Sequence, residues 1–256
     1  MKKITRITLF LLGAWIINAC APTQAPDQVE EQAPADTAEN PNDTSDTAPE
    51  QVDLGVCANP FHPISENVRW KYQLTSGGEQ QTFDVYMKDI ASDSFTRIVD
   101  FPDLDVETAW TCGEEGLVSL QYGSITTTGL DNFGINTLDV KGVSIPPAEL
   151  WEVGYAWQNE YITEISIAVG ENSFTGQGSI MLDYTIAGIE SVTVPAGTYD
   201  NAYQVDTLIT ISVDLAGSTT TISTASMDWY VENIGLVRSE SSNQDFPYTL
   251  ELIALE

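Results

Sequence analysis

The stretch Asp100-Phe-Pro-Asp103-Leu-Asp105-Val-Glu107 is the densest acidic group in the foldable part of the chain. Carboxylate oxygens at that spacing can coordinate calcium, a hard cation. The stretch lacks the glycine and the spacing of an EF-hand loop, and Asp103, Asp105 and Glu107 alternate so as to share one strand face. A solvated acidic edge that discourages sheet-to-sheet pairing is the stronger reading, and no metal site is expected elsewhere. His62, the only histidine, sits between Phe61 and Pro63. It would have to serve as the base of a Ser-His-Asp hydrolase or as a zinc ligand. Neither a Gly-x-Ser-x-Gly elbow nor a His-Glu-x-x-His pair accompanies it. Carboxylates are plentiful, but nothing marks out the pair that glycoside hydrolysis needs. The expectation is a structural or merely exposed histidine, no catalytic residue, no cofactor and no enzyme.

The three cysteines carry more. Lys2, Lys3 and Arg6 precede an apolar run from Ile7 to Ile17, too short to span a bilayer comfortably. The run ends in Ile17-Asn18-Ala19-Cys20, which resembles a bacterial lipobox, with Asn18 a less usual occupant of its place. The resemblance implies a signal peptide over residues 1–19 and lipidation of the Cys20 thiol. Cys57 and Cys112 then remain as an even pair in an exported domain, which reads as a disulfide. Closing that loop stabilises the fold by roughly 3–4 kcal/mol in the chain-entropy model. It would also clamp Asn59-Pro60-Phe61 onto a strand near Trp110.

Residues 20–53 read as the lipidated cysteine followed by a disordered tether. The stretch after Cys20 has nine acids, no base and no aromatic residue, and buries too little apolar surface to offset its ordering entropy. As a coil it reaches on the order of 30 Å, holding the domain clear of the lipid. The whole chain has a formal net charge of −29, and loss of the three basic residues of the leader makes it −32. That field repels nucleic acid.

Residues 54–256 read as a single β domain. Trp70, Tyr72 and Leu74 alternate with polar residues, as do Phe83, Val85 and Met87, and Ile180, Leu182, Tyr184 and Ile186. The longest run is Tyr203, Val205, Thr207, Ile209, Ile211 and Val213. Period two builds strands with one buried and one wet face. Turn signals separate the runs at Ser76-Gly77-Gly78, Gly113 to Gly116, Val194-Pro195-Ala196-Gly197 and Asn233-Ile234-Gly235. Helix signals are confined to one turn near Pro146-Pro147-Ala148-Glu149-Leu150. The expectation is mainly β: about a dozen strands in a single strongly curved antiparallel sheet, a half-barrel or incompletely closed barrel, with little helix. Trp70, Trp157 and Trp229 belong to the core on this pattern, and Trp151 is the tryptophan expected to be exposed.

Asn59-Pro60-Phe61-His62-Pro63, Trp70-Lys71-Tyr72, Val153-Gly154 before Trp157, Val194-Pro195-Ala196-Gly197-Thr198-Tyr199 and Trp229 to Arg238 occur in an order that resembles uncharacterised bacterial exported lipoproteins. Their order also resembles the half-barrel of LolA/LolB-type lipoprotein carriers, although those cover their cavity with helices and none is evident here. The resemblance implies a curved sheet whose concave face holds an apolar ligand such as lipid. Together with Cys20 it places the protein in the bacterial cell envelope, anchored to the membrane on its extracytoplasmic side. The rival reading is an envelope structural or protein-interaction module without a small ligand.

Overall fold

The structure, a computed structural model, describes residues 54–102, 104–122, 133–169, 172–215, 218–241 and 247–256. After one 3-10 turn at Gly55–Cys57, the first half of the domain is a meander. It comprises β1 (Trp70–Ser76), β2 (Glu79–Lys88), β3 (Ser94–Phe101), β4 (Leu104–Gly113) and β5 (Gly116–Ser119). The second half is a longer meander: β6 (Phe133–Gly142), β7 (Ala156–Val169), β8 (Asn172–Val194), β9 (Gly197–Leu215), β10 (Ser218–Val231), β11 (Gly235–Ser241) and β12 (Tyr248–Leu255). A second 3-10 turn, Ala148–Leu150, sits where Pro146-Pro147 predicts one.

All neighbours are antiparallel, in the order β5-β4-β3-β2-β1-β12-β11-β10-β9-β8-β7-β6. The two meanders join where β1 pairs with β12, from Trp70 opposite Leu255 to Ser76 opposite Tyr248. The result is one twelve-stranded sheet, nearly closed into a barrel with one unsealed seam between β5 and β6. One end of that seam is stitched. Leu117 N–H donates to Ile145 O at 2.8 Å, and Ser144 N–H returns a bond to Leu117 O at 2.8 Å. Gly116 makes this approach feasible: it has φ +126°, and a Cβ there would lie 2.3 Å from Ile145 O.

The alternation places side chains as the sequence pattern requires. Val85, Met87, Ile180, Leu182, Ile186 and Val205 are all buried. The Val194-Pro195-Ala196-Gly197 corner is a tight hairpin in which Val194 pairs with Gly197. Ala196 N–H bonds Leu252 O on β12 at 3.1 Å. Trp151 departs from the expectation. It is 6% exposed, because Phe61 stacks on it at 3.9 Å and its Nε1 donates to Pro146 O at 3.3 Å. The ring next to a double proline is a core anchor.

Candidate functional site

The site is built on a strap that crosses the barrel before β1. Cys57 and Cys112 are disulfide-bonded, with Cα atoms 5.0 Å apart, which ties the start of the strap to β4. Asn59 is buried and uses both ends of its amide. Its Nδ2 donates to Pro146 O and its Oδ1 accepts from Phe61 N–H, each at 2.9 Å. Phe61 thereby lies on Trp151 and against the edge of Tyr203, with centroids 5.0 Å apart. His62 follows and stacks on Trp110 at 4.8 Å. Asn233 N–H then holds Pro60 O at 2.7 Å, joining the strap to the β10–β11 turn. Gly235, at φ +90°, packs so closely on this strap that a Cβ would lie 3.2 Å from Pro63 Cδ.

Under the strap is a cavity of about 190 Å³. His62 and Pro63 cover one side, the inward residues of β1 and β2 form another, and Trp110, Arg97 and Tyr230 complete the wall. Two of the aromatic groups are satisfied by the turn above them. Trp70 Nε1 donates to Ile234 O at 2.8 Å and Tyr72 Oη to Leu236 O at 2.7 Å. His62 Nε2 and Trp110 Nε1 are buried and have no hydrogen-bond partner among the described residues.

Arg97 lines the same cavity. Its register, opposite Met87 on β2 and Thr108 on β4, turns it to the same face as Phe95 and Val99. Among the described residues no carboxylate forms an ion pair with it. Burial lowers the pKa of Arg97, opposed by the Tyr72 and Tyr230 phenols, yet a guanidinium starts so high that it stays cationic at neutral pH. Burial, and then the Arg97 charge, push His62 down from 6.5 to about 3, so the imidazole is neutral. The Tyr72 and Tyr230 hydroxyls are held above their ordinary range, chiefly by burial.

A second buried ionisable group, Asp228, lies two residues before Tyr230 on β10 and therefore on the same face. Thr207 Oγ1 donates to its Oδ2 at 3.1 Å, and the Ser239 hydroxyl also bonds it. Burial raises its pKa, and these two hydroxyls oppose that rise.

The sequence-derived candidates fall out differently. Cys20 and Asp103 lie outside the described residues. Asp100 faces Asp105 across the β3–β4 pair and Asp84 across the β2–β3 pair. Burial first, and then Asp105, raise the Asp100 pKa. Glu107 is engaged by Lys88 at 2.7 Å. Among the described residues no group of three or more His, Cys, Asp or Glu side chains is placed to hold a metal. Asp105 and Glu107 lie on the part of β4 that pairs with β3 on one side and, among the described residues, has no strand on the other, because the short β5 pairs only with Trp110 to Gly113. The acids therefore form a cross-strand row along an uncovered stretch of the sheet, in keeping with an acidic edge. Arg97 escaped the sequence reading, although a charge at an inward position between Phe95 and Val99 was a readable anomaly.

A nearly closed single-sheet β barrel with a strap and a small cavity is thus the class of protein that fold and site define. The chain belongs to the DUF3108-like family, whose model matches residues 107–246, more than half of its length. His62 and Arg97 precede that span. Among solved structures, it is similar to a candidate lipoprotein of Parabacteroides distasonis at 18% identity and a TM-score of 0.50, covering 78% of this chain and 99% of the other. A candidate exported protein of Bacteroides fragilis with a YmcC-like fold follows at 13% and 0.47, covering 78% and 100%. The hypothetical lipoprotein YmcC of Escherichia coli K12 follows at 11% and 0.34, covering 76% and 89%. These similarities support the likeness to uncharacterised lipoproteins and do not confirm the one to LolA/LolB-type carriers. No curated protein matches the chain in sequence.

Proposed function

We propose that this protein is a Cys20-anchored extracytoplasmic envelope lipoprotein that binds a small ligand inside its barrel and performs no chemistry on it. The observation that carries the reading is the cavity under the strap. Its walls are largely aromatic and aliphatic, and its lining residues include no carboxylate and no serine, threonine or cysteine nucleophile. Its volume also limits the occupant. At about 190 Å³ it lies below the roughly 300–1,000 Å³ of drug-sized pockets and above the roughly 150 Å³ that accommodates a benzene. A single ring or a short chain fits, and a full acyl chain does not. This is a narrower occupant than the lipid of a carrier half-barrel. The relatives described as lipoproteins or exported proteins support the envelope location.

Native mass spectrometry of the full mature chain carrying Cys20→Ser tests the binding reading. Expected is a small-molecule adduct, or uptake of an added monocyclic probe, that disappears when Val85→Phe fills the cavity. A protein that takes up neither neutral nor charged probes overturns it. Membrane fractionation tests the anchor: Cys20→Ser should move the protein from the membrane to the soluble fraction.

A further inference from the structure

We propose that the ligand is a small monocarboxylate with an aromatic or short aliphatic body, its carboxylate held by Arg97. This rests on the reading that the cavity binds a small molecule, and it names the ligand's class.

Arg97 lines the cavity and makes no ion pair among the described residues. His62 and Trp110 also contribute to the lining, with their rings stacked on one another. A cation without a countercharge against a largely apolar lining is costly unless something fills the space. The complementary occupant is an anion acceptor.

The same walls decide what else the occupant carries. One guanidinium offsets one negative charge, and its planar fork matches a carboxylate bidentately. The remaining lining, including Val85, Met87 and Trp70, offers apolar surface that a bare inorganic anion leaves unused. Inside a barrel of this net charge, surface attraction does not bring anions in; the pairing has to be supplied locally by Arg97.

The test uses the full mature chain with Cys20→Ser, and benzoate, benzyl alcohol and inorganic phosphate as probes. His62 is the only histidine, so its imidazole NMR signals report the cavity without overlap. Benzoate should shift and saturate those signals, with benzyl alcohol at least about tenfold weaker and phosphate giving no saturable shift. Arg97→Met should weaken benzoate by about thirtyfold or more without lowering the melting temperature, because it deletes an unpaired charge rather than a contact. Arg97→Lys keeps the charge and should retain part of the binding. Equal binding of benzyl alcohol and benzoate, unaffected by Arg97→Met, overturns the carboxylate assignment and leaves the cavity reading standing. Phosphate binding as well as benzoate overturns it in favour of an inorganic anion site. Failure of all three probes to bind overturns both readings.

Discussion

Arg97 and Asp228 are two buried charges of opposite sign in one barrel, and they are treated in opposite ways. Asp228 is surrounded by partners: Thr207 at 3.1 Å and Ser239 both bond it, and Tyr248 Oη in turn lies 3.2 Å from Ser239 Oγ. Arg97 faces a cavity and has no ion-pair partner among the described residues. A buried ion with hydroxyls arranged around it is part of the framework. A buried ion left facing a cavity is a group whose partner comes from outside. Net charge and fold are common to both, so the difference lies in the few side chains that the register brings alongside each.

The largest test of this contrast removes the strap's anchor. Cys57→Ser with Cys112→Ser should destabilise the domain by roughly 3–4 kcal/mol and lower its melting temperature by about 10 °C in calorimetry. The strap covers the cavity and lies apart from the hydroxyls that bond Asp228. The His62 pKa should therefore return toward 6.5 by NMR while the titration of Asp228 is unchanged. Next in size, Thr207→Val strips one partner from the buried carboxylate and should cost about 1.5–3 kcal/mol in denaturant unfolding. An effect near zero would show that Asp228 is no better satisfied than Arg97.

The two ionisable neighbours should then give stability slopes of opposite sign. His62 has a folded pKa of about 3, below its ordinary 6.5. Only the unfolded chain takes up its proton between those values, so its contribution is intact above pH 6.5 and is lost as pH falls toward 3. Asp228 is raised above 3.8. Its contribution is intact below that value and is lost as pH rises through the folded pKa. Melting curves against pH should show that His62→Phe flattens the acid limb and Asp228→Asn the opposite one. A variant with an unaltered slope breaks its half of the pair. The smallest expected change belongs to Arg97→Met, at about zero or slightly stabilising by the same calorimetry. A loss of 3 kcal/mol or more would reveal a structural partner for Arg97.

Much of the fold was legible because period-two alternation is a local property. The runs at Trp70 to Leu74 and Tyr203 to Val213 required strands with one buried face, and the turn at Asn233 to Gly235 is where the chain reverses. The Cys57–Cys112 bridge was legible for a similar reason, since two cysteines left in an exported domain have one pairing. Trp151 was misread because its burial comes from Phe61, ninety residues earlier in the chain, stacking upon it. The acidic row was legible only in part: sequence spacing shows which acids share a face, and strand pairing decides that Asp105 and Glu107 lie on the stretch of β4 that β5 leaves uncovered. Asp84 joined the row only through pairing with Asp100.

By itself, the sequence determined a strongly curved antiparallel sheet and the Cys57–Cys112 pairing, because alternation acts within a few residues and two cysteines in one domain leave each a single partner. Only the tertiary structure decided that the Asn59-Pro60-Phe61-His62 strap, β1 and the β10–β11 turn meet over one cavity. It alone decided which buried polar groups were left without partners there. Hydrogen-bond satisfaction is a property of three-dimensional neighbours: Asp228 and Arg97 each occupy an inward strand position, and nothing in their local sequence says that one will find hydroxyls and the other an empty space.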